Sequence, residues 1–425
     1  MIAEEGVCVS KLYITGRKRL GGGVRLQGAK NSALPLLAAT VLARGESVLY
    51  NCPLLSDTEA SLRILRWLGC KAQRSDGTVL VKNDGITRHD IPDALMRQTR
   101  GSIMFLGAVL ARQGRARLSL PGGCAIGQRP IDLHLKALRS LGAVIKERRG
   151  ILDCRAPHGL RGADITLPFP SVGATEDIIL AACTASGVTT VTNAAREPEI
   201  SDLADYLNRC GARIRGAGES VIVIDGVREL HGCAHAVIPD RIVAATLIAC
   251  AAVTGSAITL KGVIHSHLAA VLPVFEDAGC VFAARENELK ITSPERLRSM
   301  RIVRTMPYPG FPTDAQAPLL AAAAVADGTT VLIENIFENR YRHAAELARM
   351  GADVKTEGKF AVVEGVPRLY GAAVEAADLR GAAALVAAGL CAEGKTELGG
   401  VRYLDRGYES FEQVLSALGA DVKRV

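Results

Sequence analysis

The chain of 425 residues predicts an α/β fold of two domains built from six copies of one unit, three copies per domain. Three observations carry this expectation. The length exceeds what one ordinary hydrophobic core organises. A helical apolar segment that ends in a small residue and glycine, then runs into a strand, recurs along the whole chain. An Ala/Leu-rich helix followed by glycine and a β-branched strand recurs in phase with it.

The first element reads RILRWLGCKAQ, LKALRSLGAVIK, LADYLNRCGARIR, VLPVFEDAGCVFA, AAELARMGADVK and VLSALGADVKRV. Its glycines are Gly69, Gly142, Gly211, Gly279, Gly351 and Gly419, roughly 70 residues apart, well beyond the periods of common solenoids. A glycine just past a helix is suited to a left-handed cap. The second element reads PLLAATVLARGESVLYN, FLGAVLARQGRARLSL, ILAACTASGVTTVTN, TLIACAAVTGSAITL, LLAAAAVADGTTVLIEN and ALVAAGLCAEGKTELGG. Its helices are small or apolar on nearly every face and should be buried on most sides.

Each unit therefore reads as helix, strand, helix, strand, strand. Five units close with a strand: GTVLVKN, GILDCRA, SVIVIDG, ELKITS and FAVVEG. The sixth stops at Val425 one strand short, and KLYITG near the N-terminus supplies a candidate for it. The expected domains are 30–238, and 1–29 with 239–425, with a ligand cleft between them. The run Gly21-Gly22-Gly23 is expected to be a hairpin turn, because it lacks the spacing of a phosphate-binding loop.

Composition narrows the function. Hydrophobic residues make up 48% and charged residues 22%, as in a globular chain. Aromatics are 4% and the net charge of +7 is spread along the chain, which argues against a nucleic-acid partner. The opening MIAEEGVCVS does not read as a secretory leader, and the Ala-rich runs are too short to span a membrane. Eleven dispersed cysteines without a CxxC point to free thiols and a cytoplasmic setting. The pairs His231/His235 and His265/His267 lack a recognisable ligand pattern, so no metal site is expected.

Five local sequences sharpen the reading: GAKNSALP (28–35), LPGGCAIGQRPIDLH (120–134), PGFPTDAQAP (309–318), ENRYRH (338–343) and LDRGYE (404–409). With the sixfold repeat they resemble, across essentially the whole chain, the UDP-N-acetylglucosamine 1-carboxyvinyltransferase family. The resemblance implies a two-domain inside-out α/β barrel, six repeats of a βαβαββ-like unit around buried helices. It implies transfer of the enolpyruvyl group of phosphoenolpyruvate to the sugar 3′-hydroxyl, with release of phosphate and no metal or organic cofactor. That reaction is the first committed step of peptidoglycan precursor synthesis.

The resemblance also implies residue roles. Cys124 becomes the proton donor for C3 of phosphoenolpyruvate and the target of epoxides such as fosfomycin. Its loop holds three glycines, and Arg129 nearby favours the thiolate. Lys30 and Asn31 contact phosphoenolpyruvate, from just before a helix expected to begin near Ala33; a helix start favours an anion there. Arg129 and Arg406 face the same anion. Arg100, the run Arg129-Pro130-Ile131-Asp132-Leu133, Ser171-Val172-Gly173 and Ile336 contact the nucleotide sugar. Guanidinium groups suit such anions because they bind phosphate and carboxylate bidentately.

Asp314 becomes the general base at the 3′-hydroxyl, or the N-cap of a helix expected from about Gln316, or both. Arg340, Glu197 and the pair Asp378–Arg380 are supporting positions. The chain departs from some relatives at Ser56, at Phe169-Pro170 and at Val243. Two alternatives share parts of the pattern. One is 5-enolpyruvylshikimate-3-phosphate synthase, which a swap of acceptors would separate. The other is a non-catalytic regulatory relative that binds UDP-N-acetylglucosamine, which phosphate release would separate.

Overall fold

The structure is a computed structural model that describes residues 10–121 and 131–425. Its backbone contacts divide into two compact units. One holds 27–121 and 131–238; the other holds 10–26 and 239–425.

In the 27–238 unit the buried helices are Lys30–Ala39, Phe105–Gln113 and Val172–Ala182. The second packs on the first and on the third. In the other unit the helices Arg241–Val253, Thr313–Ala323 and Leu379–Cys391 all pack on one another. Alanine is frequent in them, as at 321–323 and 382–384, so the backbones approach closely and nearly every side chain is buried. The outer helices differ. Ser56–Leu68 buries Leu62, Leu65 and Leu68 on one stripe and exposes Arg63 on another. Helices inside and sheets outside make each unit an inside-out α/β arrangement.

Each unit carries three sheets of one topology. In the sheet of the fifth repeat, strand Ile302–Arg304 runs parallel to Thr329–Ile333. Phe360–Glu364 lies antiparallel to that strand, and Asp353–Glu357 forms the far edge. The spatial order is thus first, second, fourth, third. The parallel edge strands, each two or three residues long and doubled on Ala43–Tyr50, are invisible to the periodicity argument. They are too short to show alternation.

Three sheets take strands from distant chain, one of them by pairing Leu230–His231 and Ala234–Ala236 parallel to Ala43–Tyr50. Leu12–Thr15 lies between Lys395–Gly399 and Asp421–Arg424, antiparallel to both, in the place of the fourth strand. Leu12 pairs with Leu398 and Arg424, and Leu12 and Ile14 face the core. Gly23–Arg25 runs parallel to Ala257–Lys261 as the edge strand of the fourth repeat. This corrects the expected hairpin at 21–23: Leu12–Thr15 and Gly23–Arg25 belong to different sheets, so the glycines link sheets.

The six glycines at the helix ends, Gly69, Gly142, Gly211, Gly279, Gly351 and Gly419, all have φ between 95° and 106°. A Cβ is strongly disfavoured there, which is why the repeat keeps glycine at this point.

Candidate functional site

In the 27–238 unit, helix Lys30–Ala39 starts at Lys30 itself, three residues before the expected Ala33. Lys30 and Asn31 thus occupy the first turn, where the helix dipole favours an anion. Lys30 Nζ lies 2.8 Å from Asp57 Oδ2, the two side chains being 10% and 2% exposed. Asp57 sits in the first turn of Ser56–Leu68. A buried ion pair of this kind fixes the position of the ammonium group. Arg100 begins the short turn Arg100–Met104, pressed against the same helix: a Cβ on Gly101 would lie 2.7 Å from Leu34 Cδ1.

The runs 131–133 and 171–173 are brought together. Ile131 caps helix Asp132–Ser140, with Asp132 exposed at its first position. His134, buried one residue beyond Leu133, meets Asp177 Oδ2 through Nδ1 at 3.2 Å. Asp177 Oδ1 accepts from the Gly107 N–H at 2.7 Å. Gly173 packs on the His134 ring, which a Cβ would approach to 3.2 Å. Ser171 Oγ accepts from the Ala174 N–H at 3.4 Å and caps helix Val172–Ala182.

Glu197 stands at the cap position of Pro198–Arg209, near the fully buried Glu176. Burial pushes the Glu176 carboxyl well above its ordinary range, and the charges of Glu199, Glu197 and Asp177 add to the shift. Burial and the surrounding carboxylates thus favour the neutral form of Glu176.

In the other unit, Asp314 lies inside the first turn of helix Thr313–Ala323, whose cap is Pro312. The expected cap role is corrected: the carboxylate turns to side chains. Arg340 Nη2 donates to Asp314 Oδ1 at 2.6 Å and Arg380 Nη2 donates to Oδ2 at 2.8 Å. Both arginines are 3% exposed at the side chain, and Asp314 is 24% exposed. Each carboxylate oxygen thus has its own guanidinium, and one flank remains open to solvent. Burial opposes the charge on Arg380, yet Asp314, Tyr408 and Asp240 together hold it above its usual range.

Asp378 and Arg380 are neighbours joined through the backbone. Asp378 Oδ1 accepts from the N–H groups of Arg380 and Gly381 at 3.1 and 3.0 Å and caps Leu379–Cys391. Arg380 turns its guanidinium away to Asp314. Arg406 ends the turn Val401–Arg406 and is half-buried. A Cβ on Gly407, next in sequence, would lie 2.8 Å from Leu379 Cδ2, so this turn sits over the start of Leu379–Cys391. The Ile336 N–H donates to Glu334 Oε1 at 2.8 Å, while Thr313 Oγ1 donates to Glu334 Oε2 at 2.9 Å. One buried carboxylate therefore ties Ile336 to the turn that carries Asp314.

Cys124, Arg129 and Pro130 lie outside the described residues. Asp57, Glu334, His134 and Asp177 were not legible as site residues, because each acts by holding a neighbour. The one signal was position: Asp57 follows Ser56 in PLLSDTE and His134 ends RPIDLH. Among the described residues no group of three His, Cys, Asp or Glu side chains is placed to hold a metal. His235 instead meets Asp202 Oδ1 at 2.8 Å. No helix among them is long and apolar enough to cross a membrane.

Six sheets of four or five strands around buried helices define an enolpyruvyl transferase fold. The profile of the EPSP synthase (3-phosphoshikimate 1-carboxyvinyltransferase) family matches residues 14–415, and the chain belongs to this family. Within it the near relatives are more particular. UDP-N-acetylglucosamine 1-carboxyvinyltransferase 2 of Caldanaerobacter subterraneus subsp. tengcongensis is 47% identical over 98% of this chain and 100% of its own. UDP-N-acetylglucosamine 1-carboxyvinyltransferase 1 of Symbiobacterium thermophilum is 48% identical over 99% of this chain and 98% of its own. Among solved structures, the enolpyruvyl transferase NikO from Streptomyces tendae is similar with a TM-score of 0.89. It is 27% identical and covers 98% of this chain and 99% of its own.

Proposed function

We propose that the chain transfers the enolpyruvyl group of phosphoenolpyruvate to the 3′-hydroxyl of UDP-N-acetylglucosamine and releases phosphate, at the entry to peptidoglycan precursor synthesis. The observation that carries this reading is the near-full-length similarity, at 47–48% identity, to relatives bearing that name. The geometry of Asp314 supports it. A carboxylate gripped at both oxygens, with one flank open, is prepared to meet a hydroxyl in one orientation.

The reaction is an addition followed by an elimination. The 3′-oxygen attacks C2 of phosphoenolpyruvate and its proton passes to Asp314. Cys124 gives a proton to C3, so that the double bond becomes a single bond and a tetrahedral phosphate adduct forms. Loss of a C3 proton and of phosphate then restores the double bond as a vinyl ether. Lys30, Arg129 and Arg406 oppose the charge of the phosphate and carboxylate, and Asn31 donates beside Lys30. Arg100, Pro130, Ile131, Asp132, Leu133, Ser171, Val172, Gly173 and Ile336 hold the nucleotide sugar. The dispersed thiols favour a cytoplasmic site of action.

The test is phosphate release with both substrates present. Release that requires both supports the proposal. Release with shikimate 3-phosphate as acceptor, or none with either, would overturn it.

A further inference from the structure

Tyr408 is 1% exposed and lies in the LDRGYE run. Its Oη is 3.1 Å from Arg380 Nη1 and 2.8 Å from Thr246 Oγ1. Thr246 Oγ1 is also 2.9 Å from the Ile242 carbonyl oxygen, which only accepts. The single Thr246 proton goes to that carbonyl. Tyr408 therefore donates to Thr246, and its oxygen accepts from Arg380. Counting protons gives the chain one polarity: Arg380 to Tyr408 to Thr246 to the Ile242 carbonyl. The other arm of Arg380 donates to Asp314 Oδ2 at 2.8 Å. The guanidinium carbon also lies 5.5 Å from the Tyr408 ring centroid.

We propose that Tyr408 is a positioning residue for the transfer reaction: it holds Arg380 in the orientation that grips Asp314. This inference rests on the reading of Asp314 as the base. Arginine has four side-chain torsions, and a single bond to Asp314 leaves the planar group free to pivot. A second anchor on Nη1 removes that freedom. Phenylalanine at 408 would keep the ring and leave a buried guanidinium N–H without its acceptor. The charged and titratable groups facing this site are Arg340 on Oδ1, Arg380 on Oδ2, Asp240 beside Arg380 and Tyr408, and Asp378 with His343 beside the start of Leu379–Cys391.

The test compares Tyr408→Phe, Asp314→Asn and the double variant in the full chain. Tyr408→Phe is expected to lower kcat about tenfold with KM for both substrates within about threefold, since a small misplacement of a catalytic group costs rate more than binding. Its acid limb should move to higher pH, because a loosened Arg380 stabilises the ionised carboxylate less. In the Asp314→Asn background the tyrosine change should cost nothing further, since it acts through that carboxylate.

Thr246→Val, which keeps the tyrosine and removes its acceptor, should shift the acid limb in the same direction by a smaller amount. It serves as the measured variant if Tyr408→Phe does not fold. Turnover of Tyr408→Phe within about twofold of the parent, an unmoved acid limb in both single variants, or equal losses in both backgrounds overturns the positioning role. Near-normal turnover of Asp314→Asn alone instead rejects the base assignment, and the inference falls with it.

Discussion

His343 is buried, and neither ring nitrogen meets a hydrogen-bonding partner among the described residues. Burial pushes its imidazole down from 6.5 to about 4; Asp378 opposes the shift and Arg340 adds to it. The folded state thus keeps the ring neutral where the unfolded chain protonates it. A depressed pKa contributes stability that is present above the unfolded value and is lost as pH falls from 6.5 toward 4. At pH 7 the ring is mostly neutral in both states. At pH 5 only the unfolded chain binds the proton, and the difference between the two pH values is about 2 kcal/mol.

His343→Leu removes this linkage. Between pH 7 and 5 the parent should lose about 2 kcal/mol more than the variant, or about 4–8 °C in Tm for a unit of this size. Any packing defect of leucine adds a constant offset and leaves the slope readable. Unfolding is best followed by circular dichroism, because the single tryptophan, Trp67, belongs to the other unit and would report on that one. Parallel stability curves for parent and variant between pH 7 and 5 would refute the reasoning.

Asp314→Asn should cut turnover by about 10²-fold or more while sugar-nucleotide affinity stays within about tenfold, as calorimetry and phosphate release would show. Near-parental turnover would remove Asp314 from the chemistry. A small epoxide resembling phosphoenolpyruvate should label Cys124 alone of the eleven cysteines, read by peptide mass spectrometry. The thiols of Cys154, Cys183, Cys250 and Cys391 are pushed up to about 12 by burial and should stay unreacted. Cys124→Ser should block labelling and greatly weaken turnover. Deleting residues 1–17 removes the strand between Lys395–Gly399 and Asp421–Arg424, leaving backbone groups of both without partners. Hydrogen exchange should then accelerate in the 239–425 segment more than in 27–238, and the reverse pattern would contradict the pairing.

The repeat was legible because each of its parts obeys a local rule. Glycine at positive φ ends each outer helix, and alternation marks each inner strand, as in the buried Ile222 and Ile224 between half-exposed neighbours. Helices small on every side, such as 242–252, announced burial without any structure. The missing sixth strand was legible by subtraction. The local motifs marked Lys30, Asp314 and Arg406 as residues to follow, because lysine, aspartate and arginine are costly in apolar surroundings unless a partner or ligand is met.

Partners were not legible, since they come from remote chain. Asp314 receives Arg340 from 26 residues away and Arg380 from 66. Glu334 reaches back 21 residues to Thr313. Tyr408 joins Thr246 across 162. The edge strand at 23–25 was mistaken for part of a turn because three residues cannot display a period, and only its parallel partner 257–261 identifies it. Order along the chain was enough for the unit, its number of copies and the residue types suited to anions. Tertiary structure alone decided which arginines grip Asp314, which acid steadies Lys30, and that Asp314 turns inward instead of capping its helix. Periodicity is a property of neighbours along the chain, whereas hydrogen-bond partnership is decided by proximity in space after the repeats have packed.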